Sequence, residues 1–254
     1  MNTLTPLTPA PVANPAIRPE LSDALRTAVA EKAAAAQQHL SAAVREFGSG
    51  VVFANSLGAE DVVLTDLIHR AHLPIAAFLL DTGRLPAETY TLLAELEARY
   101  HVRLALYFPA AASVEAYVRE HGINAFHESV ELRKACCQVR KLEPLARALD
   151  GKRAWITGLR AAQSSTRSAL AAREHDPVHH LVKFNPLAEW SETEVWAYIR
   201  AHDVPYNALH EQRYPSIGCT PCTRAITRGE DIRAGRWWWE DATTKECGLH
   251  ARKN

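Results

Sequence analysis

The chain has 254 residues, with 29 lysines plus arginines against 29 aspartates plus glutamates. That length holds one large domain with a real core, and the charge balance excludes a global field drawing the protein to nucleic acid or an anionic membrane. No apolar stretch approaches the roughly eighteen residues of a membrane span, and five cysteines, two of them adjacent, do not make a secreted disulfide framework, so the cytoplasm is the expected compartment.

Residues 1–20 carry Pro6, Pro9, Pro11, Pro15 and Pro19 without the basic start and apolar run of a signal peptide, which predicts a disordered leader. From Leu21 to Phe47 an alanine-rich stretch has no internal glycine or proline and stops at Gly48-Ser49-Gly50, predicting a helix with an abrupt end. Val51 to Ala54 predicts a short buried strand, followed by a turn at Asn55 to Gly58 and a helix to about Ala71. The pattern repeats as a strand from Ile75 to Leu80, a turn at Asp81-Thr82-Gly83, a helix from Pro86 to Tyr100 and a strand from Val102 to Tyr107. A further apolar run, Ala154 to Thr157, leads into Gly158. This alternation predicts an α/β fold with a parallel sheet and helices on both faces. After about Glu189 it fades into a helix from Ser191 to His202 and a loop-rich tail, which divides the chain into a leader (1–20), an α/β domain (21–210) and a C-terminal segment (211–254). Ligands of open parallel sheets sit at strand carboxyl ends, so 55–61, 81–83 and 158–167 are expected to converge on one crevice.

Cys136-Cys137 and Cys219-x-x-Cys222 form a split tetrad, while Cys247 stands apart in Glu246-Cys247-Gly248-Leu249-His250. Four soft sulfur ligands suit zinc or an iron–sulfur cluster, and spacing leaves both open. Either centre would staple the tail to the body. Cys247 is then free to act as a nucleophile, with His250 and Lys245 nearby to favour its thiolate. The plainer readings are small core hydrophobes for the tetrad and an idle terminal thiol.

Ser56 and Gly58 lie in a strand-to-helix turn whose amides can bind an anion, but its single glycine and the carboxylates of Glu60 and Asp61 suit a triphosphate poorly. Arg160 and Arg167 flank Gln163 to Thr166, and guanidinium forks suit phosphate and sulfate oxygens. Lys141 follows Cys137 by four residues and would share its face if Gln138 to Leu149 is helical, linking metal centre to anion. Arg233 and Arg236, three apart, would form a second anion wall on one helical face beside Trp237-Trp238-Trp239, rings whose first reading is packing.

These segments, with Leu80-Asp81-Thr82-Gly83-Arg84, Glu88-Thr89-Tyr90, Asn185-Pro186-Leu187 and Ser216 to Arg224, resemble over residues 50 to 250 the cluster-containing assimilatory adenylyl-sulfate (APS) reductases. That family is related to the phosphoadenylyl-sulfate (PAPS) reductases and to pyrophosphatase-loop ATP enzymes. The resemblance implies an adenine-nucleotide fold over 21–210, a cluster-binding and catalytic tail over 211–254, and one [4Fe–4S] cluster on Cys136, Cys137, Cys219 and Cys222. It implies reduction of APS to sulfite and AMP in sulfate assimilation and cysteine biosynthesis: Cys247 attacks the sulfur, AMP leaves, and reduced thioredoxin or a glutaredoxin-like donor releases sulfite from the S-sulfocysteine. Lys141, Arg233, Arg236 and His250 match the family's anion-contacting positions, and Ser56, Gly58, Thr82, Gly158 and Arg167 its nucleotide pocket. The cluster's implied role is structural and electrostatic, with electrons coming from the partner dithiol. Asn55 and Leu57 occupy positions that vary in the family, leaving the contacts of the 55–61 loop open. With no redox domain after Asn254, a separate donor is expected. The alternatives are the same chemistry on PAPS, an ATP-dependent tRNA-thiolating enzyme, and a zinc-stapled binding domain with Cys247 idle. A homo-oligomer is left open.

Overall fold

Alternate residues of each central strand enter opposite hydrophobic layers, as the two-residue period of a strand dictates. Val51 and Phe53 point into one layer and Val52 into the other; Leu79 opposes Phe78, and Ala154 and Ile156 oppose Trp155. The computed structural model describes residues 15–163 and 170–241. Its strands are β1 (Val51–Ala54), β2 (Ala76–Leu80), β3 (Ala105–Tyr107), β4 (Ala154–Ile156), β5 (Arg173–Asp176) and β6 (Leu181–Phe184). They form one sheet in the order β3-β2-β1-β4-β6-β5, parallel throughout except for the β5–β6 pair at one edge.

The helices are α1 (Asp23–Phe47), α2 (Ala59–Arg70), α3 (Ala87–Tyr100), α4 (Ala111–His121), α5 (Val130–Cys137), α6 (Glu143–Leu149) and α7 (Glu192–Ala201). The larger layer takes Leu40 from α1, Val62 and Val63 from α2, Leu92 and Leu96 from α3, and Val195 and Ile199 from α7. The smaller layer takes Leu145, Ala148 and Leu149 from α6. Helices therefore cover both faces of a mostly parallel sheet, as the alternation predicts. Among the described residues, no helix is long and apolar enough to cross a membrane.

The sequence expectations need three corrections. Residues 1–14 of the expected leader lie outside the described residues, but residues 15–20 dock on the body. Ile17 is 2% exposed, its carbonyl accepts from Arg200 Nε at 3.0 Å, and Arg18 pairs with Glu211 at 3.0 Å. The third strand begins at Ala105 rather than Val102, because His101 caps α3 in the left-handed region and Val102 is still bonded back to Glu97. The sheet also gains the unanticipated edge hairpin β5–β6. The described part of the tail packs on the body: Cys219, Cys222 and Trp237 share a hydrophobic cluster with Cys136, Tyr117 and Phe126.

Asp66 joins three helices of the larger layer. Its carboxylate, 2% exposed, accepts from Tyr198 at 2.6 Å, Tyr100 at 3.0 Å and Arg70 at 2.6 Å. Burial first, and Asp66 beside them, raise both phenols, so they remain protonated donors. Asp66→Ala strands two buried hydroxyls and is expected to lower unfolding free energy by about 3 kcal/mol, read as a shift in the urea midpoint. A midpoint equal to wild type would remove Asp66 from the packing of this layer.

Candidate active site

The strand order turns at β1 and β4: β2 and β3 lie to one side, β6 and β5 to the other. Loops leaving adjacent strand ends there diverge and open a crevice. The loop after β1 is shaped by its own polar atoms. Asn55 Oδ1 accepts from Leu57 N at 2.9 Å and Asn55 Nδ2 donates to Thr65 Oγ1 at 2.9 Å, which holds Leu57 at φ 61°. Gly58 is the N-cap of α2 with an ordinary φ of −72° and no side-chain cap. Its missing side chain keeps the helix start open to the crevice.

Asp61 turns back on this loop. Its Oδ2 accepts from Ser56 N at 2.7 Å and from Ser56 Oγ at 2.6 Å, and a backbone bond to Gly158 links it to the end of β4. A Cβ on Gly158 would lie 2.2 Å from Asp61 Oδ1, so only glycine admits this approach. Burial outweighs the hydrogen bonds and lifts the Asp61 carboxyl to about 7. Glu60 meets Arg160 Nε at 2.7 Å, and Arg160 Nη1 donates to the Trp190 carbonyl at 3.3 Å. The acidic end of the loop is therefore neutralised internally, and Arg160 braces the crevice wall instead of offering the open fork expected from sequence. Neighbouring Thr157 Oγ1 donates to Asn185 Oδ1 at 2.7 Å, giving Asn185-Pro186-Leu187 a bracing role at the β4 and β6 ends.

A cavity of about 280 Å³ fills the crevice. Ser56, Gly58, Thr82, Lys141, Gly158, Arg233 and Arg236 all line it. These are all the anticipated substrate-contacting residues that fall among the described residues; Arg167, His250 and the thiol of Cys247 lie outside them. Glu60, Asp61 and Glu192 line it too.

Three of those cations reach the cavity by routes the sequence reading did not foresee. Lys141 lies in a π-helical turn, Gln138–Leu142, between α5 and α6, not in a continuous α-helix. A π-turn widens the spacing of side chains and recurs at functional sites; here Arg140 and Lys141 both come inward, with Arg140 Nη1 donating to the Thr82 carbonyl at 2.7 Å. Arg233 and Arg236 share a turn rather than a helical face, closed by Arg236 N to the Arg233 carbonyl at 2.9 Å. Gly235 permits this turn, because a Cβ there would lie 2.3 Å from the Arg224 carbonyl oxygen. Arg236 packs over Trp237, 4.7 Å from its ring centroid, and closely against Gly218. Trp237 itself is buried, whereas Trp238 is 41% exposed.

Cys136, Cys137, Cys219 and Cys222 line a smaller cavity of about 20 Å³ with Arg84, Arg133, Arg140 and Lys141. All four thiols are buried and free of disulfides. Thr82 Oγ1 lies in hydrogen-bond contact with Cys219 Sγ at 3.2 Å, and Thr220 N donates to the Arg84 carbonyl at 2.8 Å, so the turn after β2 holds the cysteine loop. Burial pushes Cys222 up to about 12, opposed by Lys141 and Arg236, and raises Cys136, opposed by Arg140 and Arg84. Among the described residues, no group of three or more His, Cys, Asp or Glu side chains stands close enough to hold a single metal ion. The donor set nonetheless fits an iron–sulfur cluster: four thiols around one cavity, with cations beside it to balance thiolate charge.

His210 and Trp196 also line the large cavity, and neither was anticipated. The ring centroids are 5.0 Å apart, edge to face. Burial drives His210 down to about 4, so the imidazole is neutral near neutral pH. No local motif marks it; Asn207, which bonds Leu209 N at 3.0 Å and Thr89 Oγ1 at 3.1 Å, places its turn against α3. For Asp61, the raised folded value makes the folded protein hold its proton more tightly than the unfolded chain. Its stabilising contribution is therefore complete below about pH 4 and falls away as pH rises to about 7. Denaturant titrations are expected to show wild type losing stability relative to Asp61→Asn across that window; parallel curves would place the Asp61 carboxyl at its ordinary value.

The chain matches the phosphoadenosine phosphosulfate reductase domain over residues 50–225. It is 60% identical over 220 residues to a protein of Allochromatium vinosum named adenosine 5'-phosphosulfate reductase, covering 87% of this chain and 86% of that one. A Burkholderia cepacia protein of the same name is 52% identical over 233 residues, covering 91% of this chain and 93% of its own. Among solved structures, the phosphate complex of Candida auris phosphoadenylyl-sulfate reductase superposes with a TM-score of 0.65 at 29% identity, covering 76% of this chain and 90% of that one. With its crevice and fold in place, this chain belongs to the phosphoadenosine phosphosulfate reductase family.

Proposed function

We propose that the protein reduces adenylyl sulfate to sulfite and AMP in the cytoplasm, as a step of sulfate assimilation, with a thioredoxin-like dithiol as electron donor. The observation that carries this reading is that one cavity is lined both by Ser56, Gly58, Thr82 and Gly158 and by the cations Lys141, Arg233 and Arg236. The nucleotide belongs against the first group and the sulfate against the second. The relatives' names support APS as the substrate.

In the first stage the Cys247 thiolate forms a bond to the sulfuryl sulfur while the bond from that sulfur to the AMP phosphate oxygen breaks. AMP leaves with the electron pair, and Cys247 becomes S-sulfocysteine. Charge accumulates on the sulfate and phosphate oxygens, where Lys141, Arg233 and Arg236, with Arg167 and His250, offset it. In the second stage a donor thiolate attacks the Cys247 sulfur and sulfite departs with the bonding electrons. The donor's other thiol then releases Cys247 and the donor ends as a disulfide. Cys136, Cys137, Cys219 and Cys222 would hold one [4Fe–4S] cluster, which supplies fixed charge and order beside Lys141. Lys141 borders both cavities, so it would link the cysteines to the bound sulfate.

Anaerobically purified protein is expected to release sulfite from APS faster than from PAPS with reduced thioredoxin. Faster turnover on PAPS would overturn the substrate assignment. Cys247→Ser is expected to abolish sulfite release while AMP still binds; activity near wild type would remove Cys247 from the chemistry. Elemental analysis should find iron, and one zinc without iron would favour a stapled binding domain.

A further inference from the structure

Arg133 and Glu240 form a pair buried as deeply as the core, with side chains 1% and 3% exposed. Arg133 Nε donates to Oε1 at 2.9 Å and Nη2 to Oε2 at 2.8 Å, a two-pronged geometry that fixes orientation as well as distance. The guanidinium also lies over Trp237, 4.6 Å from the ring centroid. Arg133 belongs to α5, the helix that ends in Cys136-Cys137, and it lines the cysteine cavity. Glu240 closes a turn with its amide on the Trp237 carbonyl at 2.9 Å. It precedes Cys247 by seven positions.

Burying two charges costs solvation that their attraction offsets only in part, so such a pair is weak ground for stability and strong ground for a defined geometry. Fixing Glu240 therefore fixes, beside the cysteine cavity, the point from which the chain runs on to Cys247 seven positions later. We infer that the Arg133–Glu240 pair is a positioning clip for the C-terminal nucleophile, tying the start of the segment that carries Cys247 to the helix that carries Cys136 and Cys137. Arg133 and Glu240 act on the reaction through placement of Cys247, and the inference rests on the reading of Cys247 as nucleophile.

The test follows a single turnover of the full-length, cluster-bearing protein, in which APS converts the Cys247 thiol to S-sulfocysteine, detected by intact mass without any dithiol. AMP affinity by calorimetry and the visible absorption spectrum are read in parallel. Glu240→Gln keeps the shape but loses the charge. The paired variant Arg133→Met/Glu240→Met removes both charges together and leaves no lone buried ion. Both variants are expected to form the adduct on the order of 10–100-fold more slowly, as misplacement of a reacting group does, with AMP affinity unchanged, and Glu240→Gln, which leaves Arg133 beside the cysteines, also keeps the spectrum. Glu240→Asp, which retains the charge, should recover part of the rate. Adduct formation at the wild-type rate in the paired variant would overturn the inference, and so would loss of fold or a rate that falls only in step with AMP affinity or absorbance. No adduct in the wild type would instead overturn the reading of Cys247, and the inference with it.

Discussion

The buried carboxylate of Asp61 is the constraint around which the crevice is organised. It draws the Ser56 loop and the Gly158 turn onto one acceptor, closing the gap between the carboxyl ends of β1 and β4. A divergence of loops at a switch point gives only space; Asp61 converts that space into a wall with defined amide directions. The arrangement accounts for two residue choices at once. Gly158 must lack a side chain because Asp61 stands where its Cβ would be, and Ser56 must donate because a buried carboxylate needs donors.

A second set of constraints is electrostatic. Arg84, Arg133, Arg140 and Lys141 surround four buried thiols, and Arg236 lies close to Cys222. Neutral thiols do little to compensate such a concentration of cations. Partial compensation comes from within: Glu240 meets Arg133, and the Thr82 carbonyl meets Arg140. Thiolates bound to a metal centre would add the remaining negative charge while allowing Lys141 to keep one side toward the large cavity. In the proposed function the same cations would then serve two anions in adjoining spaces.

The sheet and its crevice were legible in the sequence because the central strands are short, apolar and followed by turn residues, features that depend on nearest neighbours. Lys141 was placed from its spacing to Cys137, although the spacing was read as α-helical and is in fact a π-turn. The β5–β6 hairpin escaped because Arg173–Asp176 is an edge strand with polar residues that carry no apolar alternation. His210 escaped for a different reason: its place in the cavity depends on Trp196 and on the Asn207–Thr89 contact, which no local pattern encodes. Arg160 was recognised as a cation near the site, but its pairing with Glu60 spans the distance from β4 to α2 and reversed its expected role.

The tail shows how a segment with sparse apolar periodicity can still be specified. The Cys219 loop is held by Thr82 and the Arg84 carbonyl, Arg236 packs against Gly218, and Trp237 N donates to the Cys222 carbonyl at 3.2 Å. Among the described residues, the buried apolar side chains Cys219, Cys222 and Trp237 of the tail pack in one cluster with Tyr117 and Phe126 of the body, so its shape depends on that contact. Changes at the cysteines should therefore propagate to Arg233 and Arg236, which line the large cavity. A metal centre at the tetrad, as proposed, would have a role in binding without exchanging an electron: by fixing the loop, it would fix the cations proposed to meet an anionic substrate.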